Sequence, residues 1–315
     1  MSTPPKPPPV KPPSPPGPPK PAGRPAAPPP TAAAPKAPTR APKTFAISEY
    51  SGAGEGEKVI IYAGSGMGKT TLASMAPKPV FLPLDDGSRK IRDPRDGSVL
   101  RAVTGLASAQ DVRDALHQAN LFDDAESIVI DTGTVLEAWA DQLIFDNYTV
   151  DGKRVSNIEA FGFGKGYRHA LEVYRLFLQD LDVHLRRGKN VILLCQENAV
   201  AMANAEGLDF IQAGPKLYHN KQCSTRLEVC EWADHVLRIG YSETNVVATG
   251  PKSNKGKIVG NNTTRVIFSE GARHFAAKSR PINGVRLPPV ISFNPDENGV
   301  PNDDSLWQFM FPPKE

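Results

Sequence analysis

The chain has 315 residues, enough for about two domains, and a formal net charge of +3. No stretch approaches the roughly 18 apolar residues of a membrane span, and the N-terminus lacks the apolar core of a signal peptide. The three cysteines, Cys195, Cys223 and Cys230, make no even set for a disulfide framework, so we expect a cytoplasmic protein without a membrane partner. Cys223 and Cys230 fit no familiar zinc spacing with His219 and His235, which favours ordinary structural roles for all four.

Residues 1–43 have the composition of an unfolded arm. They contain 19 of the 32 prolines, seven Lys or Arg residues and no Asp or Glu. A segment of this kind buries no core and samples extended polyproline II conformations. We predict a disordered, Pro-rich basic arm at 1–43 that is suited to a protein partner, a folded domain at 44–285 and a C-terminal tail at 286–315.

The first apolar run, at 59–62, leads into A-G-S-G-M-G-K-T-T. A strand, a glycine loop and a helix in this order are typical of a phosphate-binding loop, because glycines let several backbone N–H groups approach one polyphosphate. The helix that opens at Lys69 adds a dipole that favours anions. We expect Lys69 to reach the β- and γ-phosphates and Thr70 to ligate Mg²⁺. The residues predicted to bind a nucleoside triphosphate are Ala63, Gly64, Ser65, Gly66, Met67, Gly68, Lys69, Thr70 and Thr71.

Four further apolar runs follow, at 79–84, 127–131, 190–195 and 234–240. Continuous β-branched runs without alternation predict strands that are buried on both faces, as in a parallel sheet covered by helices. The sequence therefore predicts an α/β fold with a mainly parallel central sheet.

Helical patterns separate the strands. A capping box at 108–111 precedes an apolar stripe, and a longer stripe occupies 168–187. After the fifth strand, residues 264–269 and 273–277 predict a C-terminal β-hairpin around a Glu-Gly turn.

Polar residues stand where the predicted strands end. Asp131 is expected to hold Mg²⁺, the alternative being a cap on the next helix. Asp85 and Asp86 follow the second strand, and either is placed to activate water unless the pair only forms a turn. Gln196 ends the fourth strand at the same edge of the sheet, where it is suited to sense the γ-phosphate or has only a structural role.

The motifs, in their order, resemble those of RecA-like P-loop ATPases. The segments are G-S-G-M-G-K-T-T, P-V-F-L-P-L-D-D-G, S-I-V-I-D-T, F-G-K-G-Y-R, N-V-I-L-L-C-Q and W-A-D-H-V-L-R-I, and they fall within roughly Thr44 to Pro281. They are most similar to small phage-encoded AAA or ATP-binding proteins, the Sak-type single-strand annealing and recombination proteins. This resemblance implies a RecA-like fold, ATP and Mg²⁺ as cofactors, a homo-oligomer and a location in the host cell cytoplasm.

The resemblance also implies roles for individual residues. The family uses a carboxylate after the second strand, usually Glu, as catalytic base, and Asp86 matches that place with a shorter side chain. Gln196 matches the family's polar switch residue. Lys278 and Arg280 resemble a K-x-R finger that reaches the γ-phosphate of a neighbouring subunit, so hydrolysis is expected to depend on assembly.

Single-stranded DNA is the expected macromolecular partner. The DNA-contacting loops of RecA-like proteins correspond to 149–167 and 197–222 here. Phe161, Phe163 and Phe210 are suited to stack on unpaired bases or to pack locally, and many cations lie nearby. The segment 251–286 has eight Lys or Arg residues against one Glu, a net +7 that suits phosphate contacts or a solvated basic surface.

The expected function is that of an Mg²⁺-dependent ATPase that binds single-stranded DNA in phage recombination, annealing or repair. Two alternatives remain open. One is a P-loop kinase for a nucleotide or small molecule, with the arginines of 89–101 as its lid. The other is a scaffold in which ATP orders loops without being hydrolysed.

Overall fold

The computed structural model describes residues 47, 52, 54–150, 152–162, 164–204, 207–242, 246–248, 256–258 and 264–312. The described residues from Gly52 onwards form one compact unit. The predicted arm at 1–43 lies outside the described residues.

The described helices and strands alternate over most of the chain. The helices are α1 (Lys69–Ser74), α2 (Ala109–His117), α3 (Gly133–Asn147), α4 (Lys165–Leu185), α5 (Thr225–Trp232) and α6 (Ser305–Met310). The strands are β1 (Lys58–Ala63), β2 (Pro79–Pro83), β3 (Ser127–Asp131), β4 (Thr149–Val150), β5 (Lys153–Arg154), β6 (Asn190–Met202), β7 (Phe210–Pro215), β8 (His235–Tyr241), β9 (Val246–Ala248), β10 (Gly256–Ile258), β11 (Arg265–Phe268), β12 (Lys278–Ser279) and β13 (Val290–Ser292).

The main sheet runs in the order β13-β11-β8-β1-β6-β3-β2. The five strands from β8 to β2 are mutually parallel. They are the five strands that the apolar runs predicted, so the α/β fold with a mainly parallel sheet is confirmed. β1 is the fourth of the seven strands in the order of the main sheet, so the loop after it lies near the centre of the carboxyl edge.

Both faces of the sheet are covered, because alternate residues of each strand point to opposite sides. Ile60 and Tyr62 of β1 face a cluster that includes apolar residues of α2, α3, α4 and α5. Val59 and Ile61 face a second cluster, which includes residues of α1 and α6. Such burial on two sides explains why the strand sequences show no polar alternation.

The predicted C-terminal hairpin is wrong. Residues 265–268 pair antiparallel with β8 on one side and with β13 on the other, not with 273–277. The chain then loops away and returns as β12, which pairs with β8 at Val236 and His235. Both β11 and β12 thus pair with β8. The Glu-Gly pair at 270–271 begins the loop that connects them.

The second predicted DNA-contacting loop is largely a pair of strands. β6 continues past Gln196 to Met202 and pairs antiparallel with β7, from Glu197 opposite Pro215 to Met202 opposite Phe210. The first predicted loop contains the short β4–β5 pair and a 3₁₀ turn at Ile158–Phe161.

The segment after residue 285, predicted as a tail, packs onto the folded core as far as it is described. β13 extends the main sheet through its pairing with β11. The side chains of Leu306, Trp307 and Met310 on α6 are buried against the face that also holds α1. Apolar spacing within 305–310 explains the helix, and burial of that stripe explains its attachment.

Candidate functional site

A cavity of about 370 Å³ opens at the carboxyl edge of the sheet, beside the loop between β1 and α1. The loop makes its turn at two glycines with positive φ, Gly66 at 73° and Gly68 at 95°. Gly68 directly precedes α1, so the first backbone N–H groups of that helix face the loop. The cavity is lined by Ser65, Gly66, Gly68, Lys69, Thr70, Thr71, Asp85, Gly87, Ile91, Asp131, Thr132 and Gln196.

Lys69 is the principal cation of this cavity. Its Nζ donates to the carbonyl oxygens of Ala63 and Gly64 at 3.1 and 3.0 Å and to Oε1 of Gln196 at 3.2 Å. Burial lowers the pKa of Lys69, and the charge of Asp131 acts in the opposite direction. A buried ammonium group with only neutral acceptors is poised to exchange one of them for a phosphate oxygen.

Thr70 and Asp131 form a hydroxyl–carboxylate pair on the cavity wall. Thr70 Oγ1 donates to Asp131 Oδ2 at 2.9 Å. Burial raises the pKa of Asp131 to about 6, partly offset by this hydrogen bond. The alternative capping role falls to Thr132, whose hydroxyl accepts from Val135 N at the start of α3. Two oxygen ligands beside a phosphate loop fit the preferences of Mg²⁺.

The structure places Asp85, and not the predicted Asp86, at the cavity. Asp85 lines the cavity, and its Oδ1 accepts from Gly87 N at 2.8 Å as the cap of a 3₁₀ turn. Its charge also contributes to raising the pKa of Asp131. Asp86 begins the turn with a side chain that is 88% exposed and pairs with Arg89 at 3.0 Å. The turn therefore directs adjacent carboxylates to different surroundings.

Gln196 links the cavity to the β6–β7 pair. Its side chain accepts from Lys69, while its backbone N donates to Thr134 Oγ1 at 3.2 Å. The same hydroxyl donates to Lys216 O at 3.0 Å, and Lys216 N donates to Gln196 O at 2.6 Å. Hydrogen bonds thus link the residue whose side chain contacts Lys69 to Lys216, which directly follows β7.

Lys278 and Arg280 do not line the cavity of their own chain. β12 pairs with the amino-terminal part of β8, where His235 is level with Val59 at the start of β1, so both cations lie away from the loop after Ala63. Arg280 Nη1 pairs with Asp234 at 2.8 Å, and Lys278 Nζ donates to Glu231 O at 3.3 Å.

The family model for an AAA domain matches residues 55–281, more than half of the chain. The chain belongs to this AAA-domain family. No curated protein matches it. Among solved structures, a KaiC-like protein from the hyperthermophilic archaeon Pyrococcus horikoshii OT3 is 14% identical, with a TM-score of 0.34 and coverage of 74% of this chain and 90% of that one. An ATPase of the type III secretion system of pathogenic bacteria is 17% identical, with a TM-score of 0.34 and coverage of 59% and 52%.

The sequence analysis missed a half-buried acid on α3 of the AAA domain. Both carboxylate oxygens of Glu137 lie 3.0 Å from Tyr218 N, in the segment that follows β7. Burial raises the pKa of Glu137 to about 7. Nothing in the sequence distinguishes Glu137 from a surface acid of α3, because its acceptor role depends on a segment 81 residues away.

Glu137→Gln is expected to remove a pH dependence of stability. A raised native pKa stabilises the fold fully below the ordinary value of 4.5, and this contribution is lost as the pH rises through about 7. Relative to Glu137→Gln, the wild type should lose about 2 kcal/mol of unfolding free energy between pH 5 and pH 8. Urea denaturation at both pH values measures this, with Glu172→Gln, an exposed acid on α4, as the control. Parallel pH profiles for wild type and Glu137→Gln would contradict the prediction.

The described part of the AAA domain shows neither a group of three or more His, Cys, Asp or Glu residues placed to hold a metal nor a helix fit by length and composition to cross a membrane. Thr70 and Asp131 are the residues that would hold Mg²⁺, together with oxygens from the nucleotide and water, which is common for this cation.

Proposed function

We propose that the AAA domain binds ATP with Mg²⁺ in the cavity at the carboxyl edge of the sheet and hydrolyses it. One observation carries the proposal: a buried lysine held by the loop and by Gln196 faces the same cavity as a hydrogen-bonded Thr70–Asp131 pair. Cation, hydroxyl and carboxylate are thus arranged together around the glycine loop.

Each residue has a defined task in this proposal. The loop N–H groups and Lys69 bind the phosphates, and Thr70 with Asp131 would hold Mg²⁺. Bound Mg²⁺ supplies charge neutralisation at the phosphate oxygens. Asp85 orients the attacking water and accepts its proton, because it is the carboxylate of the 85–86 pair that lines the cavity. Gln196 exchanges its contact with Lys69 when phosphate arrives.

Mg²⁺-dependent release of phosphate from ATP by the full chain is the direct test. We expect turnover with Mg²⁺ and none after chelation. Tight ATP binding without turnover would favour the scaffold alternative, and absence of ATP binding at millimolar Mg²⁺ would overturn the proposal. A kinase is less well supported, since none of Arg89, Arg92, Arg95 and Arg101 lines the cavity.

We further propose that single-stranded DNA binds at the first predicted loop, as a phage recombination or annealing protein would require. Rings of Tyr148, Phe161 and His169 lie 5.3 to 6.2 Å apart beside it. The side chains of Lys153 and Arg154 are exposed on the adjacent β5. Aromatic faces next to exposed cations are the combination that binds unpaired bases and their phosphates.

The second predicted loop offers less to DNA. Residues 197–215 contain no Lys or Arg, and Phe210 is half-buried on β7. Phe163, the remaining stacking candidate, lies outside the described residues. We therefore assign the phosphate contacts to the first loop. The lysines of the second loop, Lys216 and Lys221, lie at its C-terminal end.

The double variant Lys153→Ala/Arg154→Ala is expected to weaken binding of single-stranded DNA about 10-fold at low salt. Two lost phosphate contacts should reduce the slope of log K against log salt by about 1.4, because each contact to a single strand contributes about 0.7. Fluorescence anisotropy with a labelled oligonucleotide measures both quantities. Lys78→Ala serves as the control, since its exposed ammonium lies beyond α1. An unchanged slope would exclude this loop, and no binding by wild type at low salt, with or without ATP, would exclude DNA.

We also propose that Lys278 and Arg280 act on the cavity of a neighbouring copy in a homo-oligomer. Support comes from their distance from their own phosphate loop and from the 61% exposure of the Arg280 side chain. Reaching a neighbour would require them to leave Asp234 and the Glu231 carbonyl. This proposal requires that the ATPase turnover per protein molecule rises with protein concentration in the wild type. In Lys278→Ala/Arg280→Ala, turnover per molecule should not depend on concentration.

A further inference from the structure

We infer that the C-terminal segment 287–311 is part of the nucleotide site, and that Phe293 and Trp307 are positioning residues for the phosphate loop and α1. The inference rests on the proposed binding of ATP. The segment lies beyond residue 281, where the match to the AAA-domain family ends. It contacts the loop and the helix, and none of its residues is among those that line the cavity.

Phe293 and Pro301 support the loop at Gly68. Phe293 is fully buried. A Cβ atom added to Gly68 would lie 3.0 Å from Phe293 Cε1 and 3.3 Å from Pro301 Cγ. Gly68 also has φ 95°, a conformation that side chains rarely adopt. The Phe293 ring therefore limits how far the loop can move towards the C-terminal segment when a phosphate binds.

Trp307 supports the helix that the loop opens. Its side chain is 4% exposed, and its Nε1 donates to Leu72 O at 2.7 Å. Arg95 supports the same helix end, donating to Ser74 O at 3.2 Å and to Met75 O at 3.1 Å. Asp93 orients Arg95 through a 2.6 Å ion pair.

These contacts matter because α1 has only six residues. A helix of this length is not stable by itself. The backbone bonds at its end are short-range ones, from Met75 N to Leu72 O and from Ala76 N to Ala73 O, both at 3.2 Å, so further donors strengthen the last turn. Trp307 and Arg95 supply donors for that turn. The direction of α1 fixes where Lys69 and Thr70 point, so loss of a support should loosen the phosphate site without touching any group that contacts ATP.

Trp307→Phe keeps most of the ring and removes the donor to Leu72 O. We expect the Kd for MgATP to rise about 3- to 10-fold, the effect of one buried hydrogen bond. Trp232→Phe is the matched control, because Trp232 Nε1 donates to Asp182 Oδ1 at 2.9 Å on the other face of the sheet. Both variants lose a Trp hydrogen bond, and only Trp307→Phe should weaken MgATP binding. Phe293→Leu provides a second variant if Trp307→Phe does not fold.

Calorimetric titration with MgATP and thermal melting without nucleotide separate the outcomes. Similar melting temperatures for the two Trp variants, with weaker MgATP binding only in Trp307→Phe, would support positioning. Equal Kd values in wild type, Trp307→Phe and Phe293→Leu would overturn the inference, provided that Lys69→Ala weakens binding. If wild type and Lys69→Ala bind equally poorly, the proposed ATP site itself fails.

Discussion

Lys69→Ala is expected to abolish measurable ATP hydrolysis and to weaken ATP binding about 100-fold or more. Lys69 is 7% exposed and is the cation that faces the cavity from within the glycine loop. Removing one charged partner of a desolvated phosphate contact costs about 2 to 5 kcal/mol, and removing a preorganised donor lowers kcat about 100- to 1000-fold. Both effects act on the same phosphate oxygens, so binding and turnover should fall together.

Isothermal titration with ATP and a phosphate-release assay measure the two losses. Lys78→Ala is the matched control: it removes a lysine close to α1 whose side chain is 67% exposed and pairs with Glu126 at 2.6 Å. This variant should retain wild-type values for both. Thermal melting separates a lost ligand contact from a lost fold, because Lys69 donates to two loop carbonyls that water can satisfy instead. Normal ATP binding by a folded Lys69→Ala protein would remove the basis of the proposed site.

The sequence was sufficient to predict the parallel strands and the phosphate-binding loop, because the residues within each segment determine both. A strand buried on two faces must be apolar throughout, and β1, β2, β3, β6 and β8 coincide with such runs. The glycines of the loop are likewise required by backbone conformation, as the positive φ values of Gly66 and Gly68 show. Neither inference needed knowledge of distant residues.

Features that depend on distant partners could not be predicted in the same way. A Glu-Gly turn between two β-rich segments indicates a hairpin locally, yet β11 and β12 each pair with β8 instead of with each other. The role of Trp307 depends on a carbonyl 235 residues earlier, and that of Glu137 on an amide 81 residues later. Composition and periodicity do not indicate contacts between residues so far apart in the sequence.

The sequence could not determine whether Asp85 or Asp86 faces the cavity, and the reason is more local. Adjacent residues in extended chain point to opposite sides, so a shift of one position reverses which carboxylate faces the cavity. The sequence D-D-G-S marks a turn without saying where it starts. Only the cap formed by Asp85 on Gly87 N shows that the turn begins after Asp85.

Asp85→Asn should therefore lower kcat for ATP about 100-fold, whereas Asp86→Asn should stay within about twofold of wild type. Loss of a general base costs about 100- to 10,000-fold, and an asparagine at position 85 can still accept from Gly87 N and keep the turn. Asp86 lies in solvent beside Arg89, where its charge is screened. The same change at neighbouring positions thus provides a control matched in chemistry and in charge.

The Kd for MgATP distinguishes a catalytic role of Asp85 from a role in binding. Asp85 is an anion that lines a cavity for another anion, so its neutralisation should leave ATP affinity equal or higher while turnover falls. Single-turnover phosphate release, combined with titration of MgATP, measures both quantities. Loss of turnover in Asp86→Asn with full activity in Asp85→Asn would restore Asp86 as the base. Unchanged turnover in both variants would assign the activation of water to neither carboxylate, leaving the transition state to be stabilised by the cations around the phosphates.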